Sequence, residues 1–405
     1  MARCDHAVRA AAFHAWDRAS LSELVTAARL GTGRYGTVVE CAPGWPGCAA
    51  KIVLAKTWRA RRQAYREHVV GLLQSLLLLE RVTPHFPWHY GAELRATAPP
   101  ASQLSIVLFM ERYPTSLPDG AASLLTTAAA WGTLLFQLAQ AAVALALIFG
   151  VVQNDAYPRN ALVRPCACTT VVYDVAGTRY ALRAPFLAVL TDYGISSGDL
   201  VVAPSVPEVA FGQAATVRVA ACNLPRVRGR FAFVQPQAHV LSYRDLPVYA
   251  RDLSMLLKWP STAEQLPRAP LAVHLWSQAA LHRLDGMAAA LEVPAGLLLA
   301  FHAAFAPPLL ASYRLDFARA PPASVPTDFA LRLTLRDELL EKAERALRQA
   351  QVEEATWATA AAPDRERQTT HVSVEAPATP QGPSVAPPDA PGAALLRRPA
   401  GHAST

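Results

Sequence analysis

Val151-Val152-Gln153-Asn154-Asp155-Ala156-Tyr157-Pro158-Arg159-Asn160-Ala161-Leu162-Val163 is a short polar loop between apolar segments. It holds an aspartate and an asparagine five residues apart. A carboxylate in such a loop can accept the proton of an attacking hydroxyl, and an amide oxygen is a hard ligand for magnesium. The plainer reading is a capping Asp and a turn Asn. Upstream, no charged residue falls between Asp119 and Asp155, and Ala128 to Val152 is almost continuously apolar, longer than the roughly 20 residues that cross a bilayer. Gln137 and Gln140 interrupt it and no basic flank follows, so residues 121–150 are expected to form a buried core helix without membrane insertion. Downstream, ALVRP, TTVVYDV, TRYALR and FLAVLTDYG read as β-like pieces with a hairpin turn at Ala176-Gly177. The last ends in Leu190-Thr191-Asp192-Tyr193-Gly194, where Asp192 is either a magnesium ligand at a strand end or part of a simple turn.

Further upstream, Gly31-Thr32-Gly33-Arg34-Tyr35-Gly36-Thr37-Val38 spells G-x-G-x-x-G-x-V. Glycines let backbone amides approach phosphate oxygens, although the pattern alone also fits a chance turn. β-formers flank it on both sides, which suits a hairpin lid better than the strand-to-helix turn of a dinucleotide fold. Lys51 follows in the apolar run Ala49-Ala50-Lys51-Ile52-Val53. It either points to solvent from an edge strand or needs a phosphate and a carboxylate as partners. Glu67, inside the helical pattern Tyr65 to Glu80, can supply that carboxylate, and is preferred to Glu80 at the helix end. A solvated helix face is the plainer reading of Glu67. Leu104 to Tyr113 is an apolar strand with a polar exit, and Pro114 and Pro118 mark a boundary after it.

In this order, the Gly-rich loop, A-x-K, helix Glu, D-x-x-x-x-N and D-Y-G resemble the signature of the protein kinase superfamily. The resemblance covers Leu24 to Trp259, well over half the chain. It implies an α+β, bilobal protein-kinase-like fold: a small β-rich N-lobe with one main helix over 1–114, and a larger, mainly helical C-lobe over 115–360. It further implies ATP and Mg2+ as cofactors. Gly31, Thr32, Gly33, Arg34, Tyr35, Gly36, Val38, Lys51, Met110, Glu111 and Tyr113 would lie on the nucleotide, Met110 to Tyr113 forming the hinge beside the adenine. Lys51 and Glu67 would pair, Asn160 and Asp192 would hold the metal, and Asp155 would take the acceptor proton. Arg251-Asp252 resembles the pair whose buried Asp braces the catalytic loop from below. The N-D of that loop, the hairpin before D-Y-G and Pro84-His85-Phe86-Pro87 are most similar to divergent Ser/Thr protein kinases of large DNA viruses. The partner so implied is a protein substrate.

Composition agrees with a globular chain. The 405 residues are 52% hydrophobic and 17% charged, with a formal charge of +7. The positive excess is thinly spread, which favours polyanions such as nucleotides and gives no dedicated nucleic-acid surface. Six cysteines form no disulfide framework and are expected to be reduced. Asp5 and His6 interrupt any leader, so an intracellular, unsecreted protein is expected. Residues 328–360 read as a charged amphipathic helix, and 361–405, rich in Pro, Ala, Ser and Thr, as a disordered tail.

Departures from the kinase pattern carry information. Gln153-Asn154 replaces the usual His-Arg before Asp155. Loss of the His is expected to loosen packing under the D-Y-G turn. Tyr157 stands where Ser/Thr kinases place Lys, and Arg159 carries the charge instead, as in tyrosine kinases. Arg159 either reaches the transferred phosphate or is a surface residue. No clear A-P-E occurs; Val206-Pro207-Glu208 is a poor match. A small-molecule phosphotransferase similar to choline or aminoglycoside kinases is therefore one alternative, and a nucleotide-binding pseudokinase scaffold is another. Without the usual Arg, a phosphate on the activation segment lacks its local cation. Phosphatase treatment is therefore expected to leave activity unchanged; activity abolished by it would contradict this reading.

Overall fold

The computed structural model describes residues 6–15, 28–32, 36–41, 47–55, 57–96, 104–201, 230–232, 250–287 and 294–360. After a short helix, α1 (His6–His14), come β1 (Arg29–Thr32), β2 (Thr37–Glu40) and β3 (Cys48–Leu54). Then follow α2 (Trp58–Leu79), β4 (His89–Ala96) and β5 (Leu104–Glu111). The five strands form one antiparallel sheet in the order β1-β2-β3-β5-β4. The apolar run of β5 reflects burial on both faces. Ile106 and Leu108 enter the main core, while Val107 and Phe109 pack with Val39, Cys41, Cys48 and Ala50 on the other side. Sequence reading did not anticipate β4, whose HYGAELRA pattern is interrupted by a bulge between His89 and Gly91.

Helix α2 begins before the expected Tyr65, because the Thr57 hydroxyl accepts the Ala60 N–H at 3.1 Å and caps it. It ends at Leu79, one residue short of the expected Glu80, and Arg81 then takes φ +51°. Farther on, the single helix expected over 121–150 is two. β6 (Thr115–Ser116) leads into α3 (Leu117–Leu124), and α4 (Ala128–Phe149) starts afresh behind the Thr127 cap. Gly150, at φ +67°, closes α4 in the left-handed conformation that favours glycine.

Then come β7 (Val151–Val152), β8 (Ala161–Val175), β9 (Thr178–Leu190), β10 (Ser197–Val201) and β11 (Arg230–Ala232). The remainder is mostly helical: α5 (Arg251–Thr262), α6 (Leu271–Gly286), α7 (Pro294–Phe305) and α8 (Pro307–Ser312), then β12 (Ala318–Arg319), β13 (Phe329–Leu331) and α9 (Arg336–Ala360). The chain is thus mixed α+β, with an N-terminal sheet and a largely helical C-terminal part. The β-like pieces before D-Y-G are one long hairpin, β8–β9, turning at Ala176 and Gly177 with both φ values positive. Residues 329–331 do not open a helix, because they pair in parallel with Tyr173 to Val175 of β8. Cys166 is disulfide-bonded, against the expectation of six reduced thiols. Gly33, Arg34, Tyr35, Val206-Pro207-Glu208 and the tail 361–405 lie outside the described residues.

Among the described residues, α4 is the one helix long and apolar enough to cross a membrane, and its apolar window is wholly buried inside the protein. Its glutamines show why. Gln137 donates from Nε2 to the Phe186 carbonyl at 3.0 Å and accepts the Ala188 N–H at 2.8 Å. Gln140 donates to the Val82 carbonyl at 3.0 Å and accepts from the Thr83 hydroxyl. They satisfy backbone groups of β9 and of the turn after α2, so α4 is fixed against both. Gln137→Leu is expected to lower unfolding free energy by about 1–3 kcal/mol, since it orphans a buried carbonyl and a buried N–H. Chemical denaturation measures this; an unchanged or raised midpoint would contradict it.

Candidate functional site

The site lies where the sheet, α2 and the loops after α4 and β9 meet. β1 and β2 form the hairpin that holds the glycine pattern, with Gly31 opposite Val38 and Thr32 opposite Thr37. A Cβ on Gly36 would stand 2.5 Å from the Ile52 carbonyl oxygen, so this position is closed to larger residues by the approach of β3. Val38 in turn pairs with Lys51. Lys51 is not on an edge, because β3 is flanked by β2 and β5.

The Lys51 ammonium meets Glu67 of α2 at 2.6 and 2.8 Å and Asp192 at 3.1 Å. Lys51 and Glu67 side chains are 14% and 11% exposed, whereas the Asp192 side chain is 44% exposed. Burial works against the Lys51 charge, but Asp192 and Glu67 outweigh it and raise its pKa. The Lys51 charge in turn holds the Asp192 carboxyl below its usual range, despite burial. For Glu67 burial wins, and its pKa is raised although Lys51 pulls it down. Glu80 faces Lys342 of α9 instead.

Two aspartates and an asparagine define the loop side. Asp192 has φ +61°, a left-handed residue immediately after β9, with the Thr191 N–H bound to the Asn160 carbonyl at 2.9 Å. Asn160 donates from Nδ2 to the Asp155 carbonyl and to its Oδ2, both at 2.8 Å. With Nδ2 so engaged, the amide oxygen Oδ1 is the end that could meet a metal ion. Arg159 Nη2 lies 3.0 and 3.2 Å from the Asp155 carboxylate oxygens, and its guanidinium sits 4.8 Å above the Tyr157 ring. Its side chain is half-exposed, so Arg159 is both a surface residue and a neighbour of the carboxylate. Burial pushes the Asp155 carboxyl up; Arg159 and Asn160 pull it back only in part, and the Asp192 charge adds to the rise. A carboxylate made more basic in this way suits proton acceptance.

The loop is held from beneath by α5. Asp252 accepts the Gln153 N–H at 2.6 Å and the Asn154 N–H at 2.9 Å, and the Trp259 indole donates to the Ala156 carbonyl at 2.9 Å. Asn154 occupies φ +65°, a conformation asparagine tolerates. Its side chain donates to the Ile195 carbonyl at 3.3 Å and accepts from Arg251 at 3.2 Å. Gln153 donates from its side-chain amide to the Thr191 carbonyl and so ties the loop to the turn at Asp192. Tyr193 itself is buried, edge-on to Phe86.

The end of β5 and the residues after it carry the expected hinge. Met110 pairs with Ala49 and His89 within the sheet. The Glu111 carboxylate is engaged in a buried ion cluster with Arg9 and Arg164, which leaves its backbone as the part that could meet a ligand. Tyr113 packs on Leu187 and Val189, with Leu162 beside them. Sequence reasoning missed Arg9 and Arg164, and nothing local marks the two arginines.

Among the described residues, no group of three or more His, Cys, Asp or Glu forms a complete metal cage. Asp192 and Asn160 offer a carboxylate and an amide oxygen. That suits magnesium, which keeps waters and shares substrate phosphates rather than requiring an all-protein cage. Comparison with models of known protein families finds no match. Comparison with curated proteins finds no relative either.

Burial pushes the Asp252 carboxyl from an ordinary 3.8 to about 6, while its two backbone bonds and Arg251 pull the other way. The native state thus holds this proton more tightly than the unfolded chain. The linked stability is fully present below about pH 4 and is lost as pH rises through about 6. Asp252→Asn removes that titration. Urea unfolding of the variant between these pH values should show a shallower loss of stability than the parent; identical slopes would contradict the assignment.

Proposed function

We propose that the chain is an ATP- and Mg2+-dependent protein kinase of bilobal form, transferring the γ-phosphate to a protein hydroxyl, most consistent with Ser/Thr. The observation that supports this best is the convergence of Lys51, Glu67 and Asp192 beside a glycine hairpin, opposite Asp155 and Asn160. On this reading, residues distant along the chain would supply a cation for phosphate, an oxygen pair for a hard metal and a carboxylate for a proton.

On this reading ATP lies between the sheet and the helical part. Gly31, Gly33 and Gly36 would cover its phosphates, and the backbone of Met110 to Tyr113 would meet its base. Lys51, steadied by Glu67, would contact the α- and β-phosphates. Asp192 and Asn160 would hold magnesium, which when bound neutralises charge on the phosphates. Asp155 orients the acceptor hydroxyl and takes its proton at a carboxylate oxygen. Arg159, 3.0 Å from Asp155, would supply a cation near the transferred group. Catalysis is then mainly positioning and charge stabilisation.

Purified protein given labelled ATP, magnesium and a mixed protein substrate should label protein; choline and aminoglycosides are offered separately. Label on small molecules alone would favour the phosphotransferase alternative, and binding without transfer the scaffold. Asp155→Asn should reduce transfer by at least about 100-fold while ATP binding survives. Asp192→Ala should lose magnesium-dependent turnover. Unchanged turnover in both variants would refute the proposal.

A further inference from the structure

Three distant parts of the chain converge on one buried carboxylate, that of Glu111. Glu111 ends β5, and its carboxylate receives Arg9 Nε at 2.9 and 3.2 Å and Arg9 Nη2 at 2.8 Å. The same guanidinium donates to the Pro84 carbonyl at 2.9 Å and the Phe86 carbonyl at 2.7 Å. Arg164 of β8 approaches the other side of Glu111 at 2.9 Å, donates to the Arg112 carbonyl at 2.8 Å and lies 4.4 Å above the Tyr113 ring. The Trp88 N–H adds a bond at 3.3 Å to Glu111 Oε2. The Glu111 N–H donates to the Trp88 carbonyl, and the Arg112 N–H to the Gly47 carbonyl.

We propose that Arg9 is a positioning residue for nucleotide binding: by forking onto Glu111 and the two carbonyls of Pro84 and Phe86, it fixes the backbone from Glu111 to Tyr113 in the cleft, making α1 part of that site. The proposal rests on the nucleotide reading above. The physical case is the geometry of the fork. Arg9 and Glu111 side chains are 4% and 6% exposed, so neither is held there by water. Apolar packing can stabilise a fold equally well; a guanidinium with bonds to a carboxylate and two carbonyls additionally sets where the carboxylate sits. The residue whose position is set is the last one of β5 and lies within the segment proposed to meet the base. Helix α1 also has an independent anchor, since Phe13 stacks on Trp88 at 4.4 Å and His6 meets Phe329 edge-on at 5.4 Å. Loosening the fork therefore need not detach the helix.

The test uses the full chain with Arg9→Lys, which keeps the charge but loses the fork, and Glu111→Gln, which keeps the shape but loses the counter-charge. Two readouts are taken: amide hydrogen exchange across residues 108–114 without nucleotide, and titration with mant-ADP and magnesium. Both variants should exchange faster at Glu111 to Tyr113 and bind mant-ADP about tenfold more weakly. The KM for ATP should rise while kcat at saturating ATP stays within about twofold. The double variant should lose no more than the larger single loss, because both act through one contact. Parent-like exchange and affinity in Arg9→Lys and Glu111→Gln would overturn the proposal. Faster exchange in the variants of a parent that binds no mant-ADP would support the positioning role and overturn the nucleotide reading instead.

Discussion

The ion triad of Lys51, Glu67 and Asp192 is the interaction on which the arrangement depends. An ammonium carried by a central strand is costly to remove from water unless oppositely charged groups meet it. Here one carboxylate comes from α2 and the other from the turn after β9, so the sheet, the helix and the loop must be mutually placed for the charge to be satisfied. The dependence is reciprocal. Asp192 occupies left-handed backbone, and the Lys51 charge favours its ionised form. A metal-bound triphosphate entering the cleft, as proposed, would find a cation already held in place and a half-exposed carboxylate beside it.

The support beneath the triad uses unusual residues to meet ordinary demands. The loop around Asp155 needs its N–H groups satisfied in a buried place, and Asp252 receives two of them. It needs one residue at positive φ, and Asn154 accepts that conformation while linking Ile195 and Arg251. It needs a tie to the turn at Asp192, and the Gln153 amide supplies it. The requirements lie in geometry and hydrogen-bond capacity, so a residue of a different type that meets them preserves the loop.

Much of this was legible in the sequence because it is local. The glycine hairpin, the β-like run around Lys51, the apolar α4, the Ala176-Gly177 turn and the order of Asp155, Asn160 and Asp192 all follow from short-range pattern. The pairing of Lys51 with Glu67 was reachable too, because a strand lysine demands a carboxylate and the next helix holds one. What escaped was set by tertiary contact. β4 is a strand because β5 offers it an edge, despite its glycine and charges. Residues 329–331 are a strand because β8 is alongside. The ion cluster at Glu111 was not legible, since only the fold brings Arg9 and Arg164 to it. The start of α2 was lost among arginines that mask the Thr57 cap.

The account is tested most directly by diffraction from crystals grown with manganese and a non-hydrolysable ATP analogue. It predicts an anomalous peak about 2.1–2.2 Å from an Asp192 carboxylate oxygen and from Asn160 Oδ1, in the range of octahedral magnesium-type sites, with a phosphate oxygen against the Lys51 ammonium. Analogue density elsewhere on the molecule, or a metal peak away from Asp192 and Asn160, would contradict it.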